Sequence, residues 1–299
     1  MSVLAADVGG TNIRVGIMGA DGARVLGPEI PVFRATSDLV AQLFMQWEEL
    51  SASLAEADRK VQGAVVALPG RTDRHVPQWI PNLPFLNDQP FAELLSRRLN
   101  ISVSQCQLIN DGQAALVAEE REGAAVGKRN VILVAIGTGI GGAMIINGHL
   151  VRGMHGSSGS FGWLNVGDVC PKNDSGPWEI VASGTALDKL TEHLGGAHAA
   201  VLAAREEDPA ALQVISDYAV ELGKGLGALA SIIDPDIVLI GGGLSAAFDV
   251  LEKPLKAAVS RFASPVVFDT PIAPTNLGPQ AGLLGALNLA QDLRTSYDQ

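Results

Sequence analysis

Apolar positions along this chain follow two periods, one of strands and one of helices. LAADVGGTNIRVGI, Leu4 to Ile17, places two apolar runs around Asp7, Gly9, Gly10 and Thr11, which predicts strand, glycine turn, strand. VILVAIGTGIGGAMII, Val131 to Ile146, repeats that design around Gly137, Thr138, Gly139, Gly141 and Gly142, and two such hairpins, one opening each half, predict a duplicated architecture. Between them, Asp38 to Ala57 carries apolar residues at helical spacing, QGAVVALPG predicts a buried strand ending at Pro69-Gly70, and Phe91 to Leu99 predicts a second amphipathic helix. Further on, Thr185 to Leu194 and Pro209 to Ile233 read as helices. IDPDIVLIGGGLS reads as a buried strand running into a triple glycine and then a helix from Ala246 to Phe262. The last helix, Gly278 to Leu293, is small and apolar at most positions. The order predicts an α/β protein with mixed sheets flanked by helices. The expected division falls just after QLIND: a smaller domain of residues 1–110, a larger one of 111–277, and a C-terminal helix, about 278–299, as a candidate to pack back onto the first.

Length and charge narrow the function classes. The 299 residues suffice for two ordinary domains, each with its own core. With 32 Asp and Glu against 21 scattered Lys and Arg, a net charge of −11 argues against a nucleic-acid surface, which needs clustered cations. Met1-Ser-Val-Leu leads directly into a strand-like run with no basic n-region, and no apolar segment is long enough to span a bilayer, so neither a signal peptide nor a membrane span is expected and the expected location is cytoplasmic. The two cysteines, Cys106 and Cys170, make no disulfide framework.

Four stretches could carry chemistry, each with a plainer alternative. In DVGGTN a carboxylate, Asp7, ends a strand before glycines whose N–H groups can approach phosphate oxygens, with Thr11 and Asn12 following; Asp7 could hold Mg²⁺ directly or through water. The alternative is an ordinary hairpin turn. GTGIGG, from Gly137, would be a second phosphate-facing turn with the Thr138 hydroxyl as an extra donor beside Gly139, or again a plain hairpin. It is no Walker loop, since no Gly-Lys-Ser/Thr follows, and no dinucleotide fingerprint, since strand rather than helix continues beyond it. IGGGLS places Gly241, Gly242 and Gly243 between a buried strand and a helix, which suits a flat ligand or a tight connection equally well. In LINDGQAAL, Asn110 and Asp111 end an apolar strand before a helix. Asp111 could accept a hydroxyl proton during phosphoryl transfer, or the pair could simply cap the helix.

The series in order is more specific than any member. Asp-x-Gly-Gly-Thr-Asn, Pro69-Gly70, PNLP at 81–84, Asn110-Asp111, GTGIGG, His155-Gly156 followed by G-x-x-G-x-x-G spacing, Glu179, SGTAL at 183–187 and IGGGLS together resemble the ROK family (repressors, open reading frames and sugar kinases), which includes bacterial glucokinases, over essentially the whole chain. The resemblance implies an actin-like (ribonuclease H-like) two-domain fold, ATP with Mg²⁺, a hexose-type acceptor in the interdomain cleft, Asp111 as general base and a homodimer. It also implies that Gly70, Asn82, Asn110 and Glu179 lie near the sugar. The family's repressors carry an N-terminal helix-turn-helix segment, for which there is no room before Ala5.

The chain departs from the family in one place. Where members read G-E-x-G-H, it has Gly159-Ser160-Phe161-Gly162-Trp163. Where they read C-x-C-G-x-x-G-C-x-E, it has Cys170-Pro-Lys-Asn-Asp-Ser-Gly-Pro-Trp-Glu179. The family zinc site uses one His and three Cys; three of those positions are Trp163, Lys172 and Pro177, and one remaining thiol cannot hold a four-coordinate zinc, so no structural zinc is expected. The missing Glu and His would each have bound a sugar hydroxyl, at about 1 to 3 kcal/mol for a buried hydroxyl left unpaired. Glucose is therefore expected to be a poor acceptor, and Ser160 and Trp163 mark where specificity changed. Trp163 either offers an aromatic face to a deoxy, amino, acylated or pseudo-sugar, or is a buried Trp filling the space of the zinc lobe. His149 and His155 read as loop histidines first. The expected activity is ATP-dependent phosphorylation of a sugar hydroxyl, most readily the primary one; a non-catalytic sugar sensor and a kinase of a non-sugar acceptor are the alternatives.

Overall fold

The structure, a computed structural model, describes residues 1–73, 75–80, 82–172 and 175–295. Pro81, the first residue of the PNLP motif, and residues 173–174 of the 155–184 stretch lie outside the described residues. Contacts divide the chain into two compact units: residues 1–119 with 152–158 and 279–299, and residues 120–151 with 159–278.

In the first unit β1 (Ser2–Val8) and β2 (Asn12–Met18) form the expected hairpin, and β3 (Arg24–Leu26) and β4 (Ile30–Pro31) both extend it on β2. On the other side of β1, β5 (Val61–Leu68) and then β8 (Cys106–Asn110) add in parallel, so the order is β3-β2-β1-β5-β8. β1 and β5 are apolar on nearly every position because both faces are covered, as parallel strands require. A small separate hairpin joins β6 (Arg71–Asp73) to β7 (Val76–Gln78). Helices α1 (Thr36–Ser51), α2 (Phe91–Leu99) and α3 (Asp111–Glu122) complete the N-terminal part. α1 stops at Ser51, short of the expected Ala57, and a separate turn of 3-10 helix covers Glu56–Asp58.

The second unit repeats the plan. β9 (Val131–Ile136) and β10 (Ile140–Ile146) form the hairpin, β11 (His149–Leu150) extends it, and β12 (Ile237–Gly241) and β13 (Ile272–Pro274) add in parallel, giving β11-β10-β9-β12-β13. The duplication read from the two glycine hairpins thus extends to strand order and direction. Five helices follow the hairpin: α4 (Pro177–Ala182), α5 (Gly184–Leu190), α6 (Ala197–Arg205), α7 (Pro209–Ile233) and α8 (Phe248–Phe262). α7 starts where a cap, a proline and an apolar period coincide: the Asp208 side chain accepts from Ala211 N, and Pro209 occupies the first turn, where a missing N–H costs nothing. Its glycines admit neighbours, since a Cβ on Gly225 would lie 2.1 Å from the buried indole of Trp178 and one on Gly223 2.4 Å from Ala258. Trp178 is fully buried and its Nε1–H donates to Glu221 O, while the buried Tyr218 hydroxyl donates to Ala182 O, so the polar tip of each large ring is satisfied.

The division between units falls after Glu119, later than the boundary near residue 110 that the polar Asn110-Asp111 pair suggests. The reason is packing. The last helix, α9 (Ala281–Thr295), belongs to the first unit and lies so close to α3 that a Cβ on Gly285 would be 1.7 Å from Ala114 O. α3 therefore goes with the first unit, and the small residues of α9 are what let backbone meet backbone. No helix among the described residues is long and apolar enough to cross a membrane.

Candidate active site

The DVGGTN turn is a tight hairpin connection in which Gly9 N donates to Asn12 O, with Asp7 at the carboxyl end of β1. Within the first unit it gathers several sequence-predicted residues. Gly10 lies against Asn82, whose Cβ would be 2.9 Å from a Cβ placed on the glycine, and Arg34 Nη1 donates to Asn82 O. Asn110 closes β8, in register with Leu68 of β5, and its Nδ2 donates to Gly70 O at 2.9 Å while its Oδ1 accepts from Gly112 N and Gln113 N. Gly70 is obligatory: φ is +103°, and a Cβ would lie 2.4 Å from Trp79 O. Asn110 therefore does cap α3, the plainer role foreseen for the Asn-Asp pair. Among the described residues the Asp111 carboxylate accepts from backbone N–H groups only: that of Gly112, 2.7 Å from Oδ1, and its own.

Two carboxylates thus stand at the carboxyl ends of β1 and β8, outer members of the parallel run β1-β5-β8 in one mixed sheet, where α/β folds place their ligands. Burial pushes the Asp7 carboxyl up to about 6, the charges of Asp111 and Glu29 add to the rise, and Arg14, with Nη1 3.6 Å from Oδ2, opposes it. Asp111 as a residue is exposed, yet burial of its carboxyl raises it above the ordinary carboxylate range, with the N–H groups of Gly112 and of Asp111 itself pulling the other way. Sequence reasoning missed the residue that fixes Asp7 from behind. Gly282 of α9 faces it, and a Cβ there would meet the carboxylate at 2.7 Å. Only the small-residue character of α9 hinted at this.

In the second unit the GTG turn is held by the segment around SGTAL. Gly137 N donates to Gly139 O, Gly184 N donates to Gly137 O at 2.7 Å, and the Thr185 hydroxyl donates to Thr138 O at 2.9 Å. Glu179 docks on the same turn: Oε2 accepts from Ile140 N at 2.7 Å, and a Cβ on Gly139 would lie 2.2 Å from it. Beside the turn opens a cavity of about 400 Å³, lined among others by Gly137, Thr138, Thr185, His198, Arg205 and Gly243. IGGGLS leaves β12 with Gly241 as its last residue and continues as a 3-10 turn, Gly243–Ala247, rather than directly into α8. Gly242 takes φ +73° with its Cα against Ile136 O, 2.4 Å from where a Cβ would be, so the end of β12 is pressed onto the end of β9, and the 3-10 turn that follows, from Gly243, forms part of that cavity's wall. The SGTAL motif was the only signal for Thr185; nothing in sequence pointed to Arg205 or His198.

The glycines of the 155–184 stretch are spacers. A Cβ on Gly159 would lie 2.0 Å from Gly142 O, and one on Gly176 would lie 2.2 Å from Gly162 O, so the loop is laid backbone against backbone along β10. On that frame Ser160 is exposed and Trp163 is 48 % exposed. The alternative of a buried Trp163 filling space is overturned, because the buried tryptophan of this region is Trp178. Cys170 and Lys172 are also exposed. Among the described residues no group of three or more His, Cys, Asp or Glu is arranged to hold a metal ion.

Duplicated five-strand cores, each opened by a glycine hairpin, one with paired carboxylates and the other with a cavity beside its turn, define the actin-like class of phosphate-handling folds. The chain belongs to the ROK family, whose match covers residues 3–293. It is 28 % identical to a glucokinase of Streptomyces coelicolor, over 97 % of each chain, and 28 % identical to an N-acetylgalactosamine kinase of Shewanella sp. (strain ANA-3), over 96 % of each. Among solved structures it resembles a ROK family glucokinase of Streptomyces griseus in complex with glucose and AMPPNP, with a TM-score of 0.76 and 26 % identity over 98 % of this chain and 100 % of that one.

Proposed function

We propose that this protein is an ATP-dependent sugar kinase that transfers the γ-phosphoryl group to a hydroxyl, most readily the primary one, of a monosaccharide or close analogue other than glucose. The two relatives named above are sugar kinases, and a similar structure is a complex with glucose and AMPPNP. The observation that carries the reading is the pair Asp7 and Asp111, two carboxylates raised by their surroundings at the carboxyl ends of β1 and β8.

In this reading Asp111 is the general base. Its carboxylate is more basic than an ordinary one, which favours accepting the acceptor's proton as the hydroxyl attacks phosphorus. Asn110, Gly70 and Asn82 are the acceptor-binding candidates of the first unit, and Glu179, Ser160 and Trp163 are those of the second. Gly9, Gly10, Thr11 and Asn12 face the phosphates from the first unit. Gly137, Thr138 and Gly139, with Gly241, Gly242 and, at the 400 Å³ cavity, Gly243, hold the nucleotide on the second. Mg²⁺, when bound, neutralises charge on the triphosphate. The donor set fits an ion that keeps most of its water, since Asp7 is a single carboxylate and no cluster of three metal-binding side chains accompanies it among the described residues.

Acceptor choice follows from Ser160 and Trp163, which stand where the family's hydroxyl-binding Glu and His would be. An exposed indole suits a ring with a deoxy, amino or acylated position better than a fully hydroxylated one. The test is ADP release across glucose, mannose, amino, N-acetyl and deoxy sugars and cyclitols. Turnover with a modified sugar above glucose is the expected result; glucose as the best acceptor refutes the specificity, and no ADP release with any sugar refutes the activity. Asp111→Asn should cut turnover by orders of magnitude and leave sugar binding largely intact, and unchanged turnover removes Asp111 from the role. The reading also includes a homodimer and a 155–184 loop without zinc. Sedimentation of a monomer, or one tightly held zinc per chain in protein purified without chelator, would contradict those parts.

A further inference from the structure

The first unit contains a second cavity, of about 610 Å³, that none of the residues discussed so far as active-site groups lines. It opens between the β6–β7 hairpin, the start of β8 and the segment 152–156, and among its walls are Thr72, His75, Ser104, Gln107 and Arg152. Its far wall is built rather than draped. Arg152 donates to Leu108 O on β8, Arg71 Nε donates to His155 O, and Gln113 Nε2 reaches Gly156 O and Ser158 O. Gly156, at φ +66°, comes so near β6 that a Cβ would lie 2.2 Å from Thr72 O.

Two features of the lining point to a ligand. Thr72 is 1 % exposed and its hydroxyl has no hydrogen-bond partner among the described residues; the Nδ1 of His75 is buried and likewise without one. Buried polar atoms left in that state are costly, and in native structures they mark groups that pair with something else. The second feature is charge. In a chain of net charge −11, the described residues lining this cavity include an arginine and a histidine, and none of those described is a carboxylate. A guanidinium, a hydroxyl donor and an imidazole are the set that recognises a phosphate oxygen. The volume exceeds what a bare phosphate fills and lies in the range of small-molecule sites.

We infer that this cavity is a binding site for a small phosphate monoester, its phosphate met by Arg152, Thr72 and His75 and its neutral part occupying the remaining volume. The inference does not depend on the kinase reading. It is tested by calorimetric titration of the whole protein, in saturating AMPPNP so that nucleotide loops are occupied, with glycerol 3-phosphate, inorganic phosphate and glycerol. Expected is binding of glycerol 3-phosphate, weakened about tenfold or more by Thr72→Val, the effect of one hydrogen bond to a charged group. Thr72→Val should melt no lower than the wild type, because the hydroxyl it removes has no partner to lose. Arg152→Met and His75→Phe should weaken binding likewise. Equal affinity for inorganic phosphate would assign the site to the free ion and overturn the monoester. No binding at millimolar concentration, equal binding of glycerol, or binding that Thr72→Val and Arg152→Met leave unchanged would overturn the site.

Discussion

Replacing Asp7 by Asn should stabilise the protein while impairing its activity, and the size of the gain can be worked out. The carboxyl is held at about 6 in the folded protein against an ordinary 3.8, with burial the main cause. At about 1.4 kcal/mol per pH unit, ionising it costs the folded state about 3 kcal/mol. Its side chain is only 15 % exposed, so solvent screening removes little of this, and the opposing attraction of Arg14 is already contained in the net value. Because the folded-state value lies above the unfolded one, the wild-type protein has its full stability from this group below about pH 4 and loses it as pH rises through about 6. Asn, of nearly the same shape and without charge, loses nothing. Melting curves of both proteins without nucleotide should therefore coincide near pH 4, separate between pH 4 and 7, and stay separated above, by on the order of 5 °C for a chain of this size. ATP with Mg²⁺ should narrow the gap, since it stabilises the ionised wild type. A gap that does not change with pH, or an Asn variant that melts lower at pH 8, refutes the assignment of strain to this carboxylate.

Three further outcomes follow from close contacts and burial. Gly139→Ala must push aside the Glu179 carboxylate, which lies 2.2 Å from the new Cβ; as this is the end of a flexible side chain, melting should hardly change while KM for the acceptor rises about tenfold or more in steady-state kinetics. Gly285→Ala puts a Cβ 1.7 Å from a backbone oxygen that cannot move aside, and should cost at least about 1–3 kcal/mol in denaturant unfolding; a neutral result would mean that α9 does not sit against α3 as described. Cys170 is exposed, whereas burial pushes the Cys106 thiol up to about 12, so a thiol-reactive dye should label one cysteine in native protein and both in denaturant. Fast labelling of both in native protein would contradict the burial of β8.

How much of this was legible in the sequence depends on the length scale of each signal. Both hairpins, α2, α7 and the parallel strands β5 and β12 were readable because period, length and punctuation agree within one segment, as at Asp208-Pro209 opening α7. α4 and α6 were missed: the first is only a turn and a half behind Pro177, and the second is so rich in alanine that no apolar face stands out. The edge strands β3, β4, β11 and β13 are two or three residues long and exist only because a neighbouring strand offers them partners. The site shows the same split. Asp7, Asn110, Asp111 and the glycine turns could be read because backbone geometry restricts which residues fit there. Gly282 and Arg205 reach their places from remote helices, and no local pattern announces a contact that only the tertiary fold creates.

The 155–184 stretch makes that split useful, because it separates what holds a loop from what the loop selects. Gly159 and Gly176 have no freedom, since each sits where any side chain would strike a backbone oxygen, and Gly139 and Glu179 fix each other. Ser160 and Trp163 are exposed, so replacing either costs the fold little. A loop held by backbone packing can therefore change its polar side chains without collapsing, and its side-chain chemistry can shift while the glycine turns stay as they are. Trp163→His, with Ser160→Glu, tests this directly. On the retained frame the double variant should melt within a few degrees of the wild type and gain turnover on glucose relative to the preferred acceptor, measured as the ratio of kcat/KM values. Restoring two hydroxyl contacts worth about 1 kcal/mol or more each should move that ratio by at least about thirtyfold. A ratio that does not move, in a variant that folds, would show that the acceptor is chosen elsewhere than at these two positions.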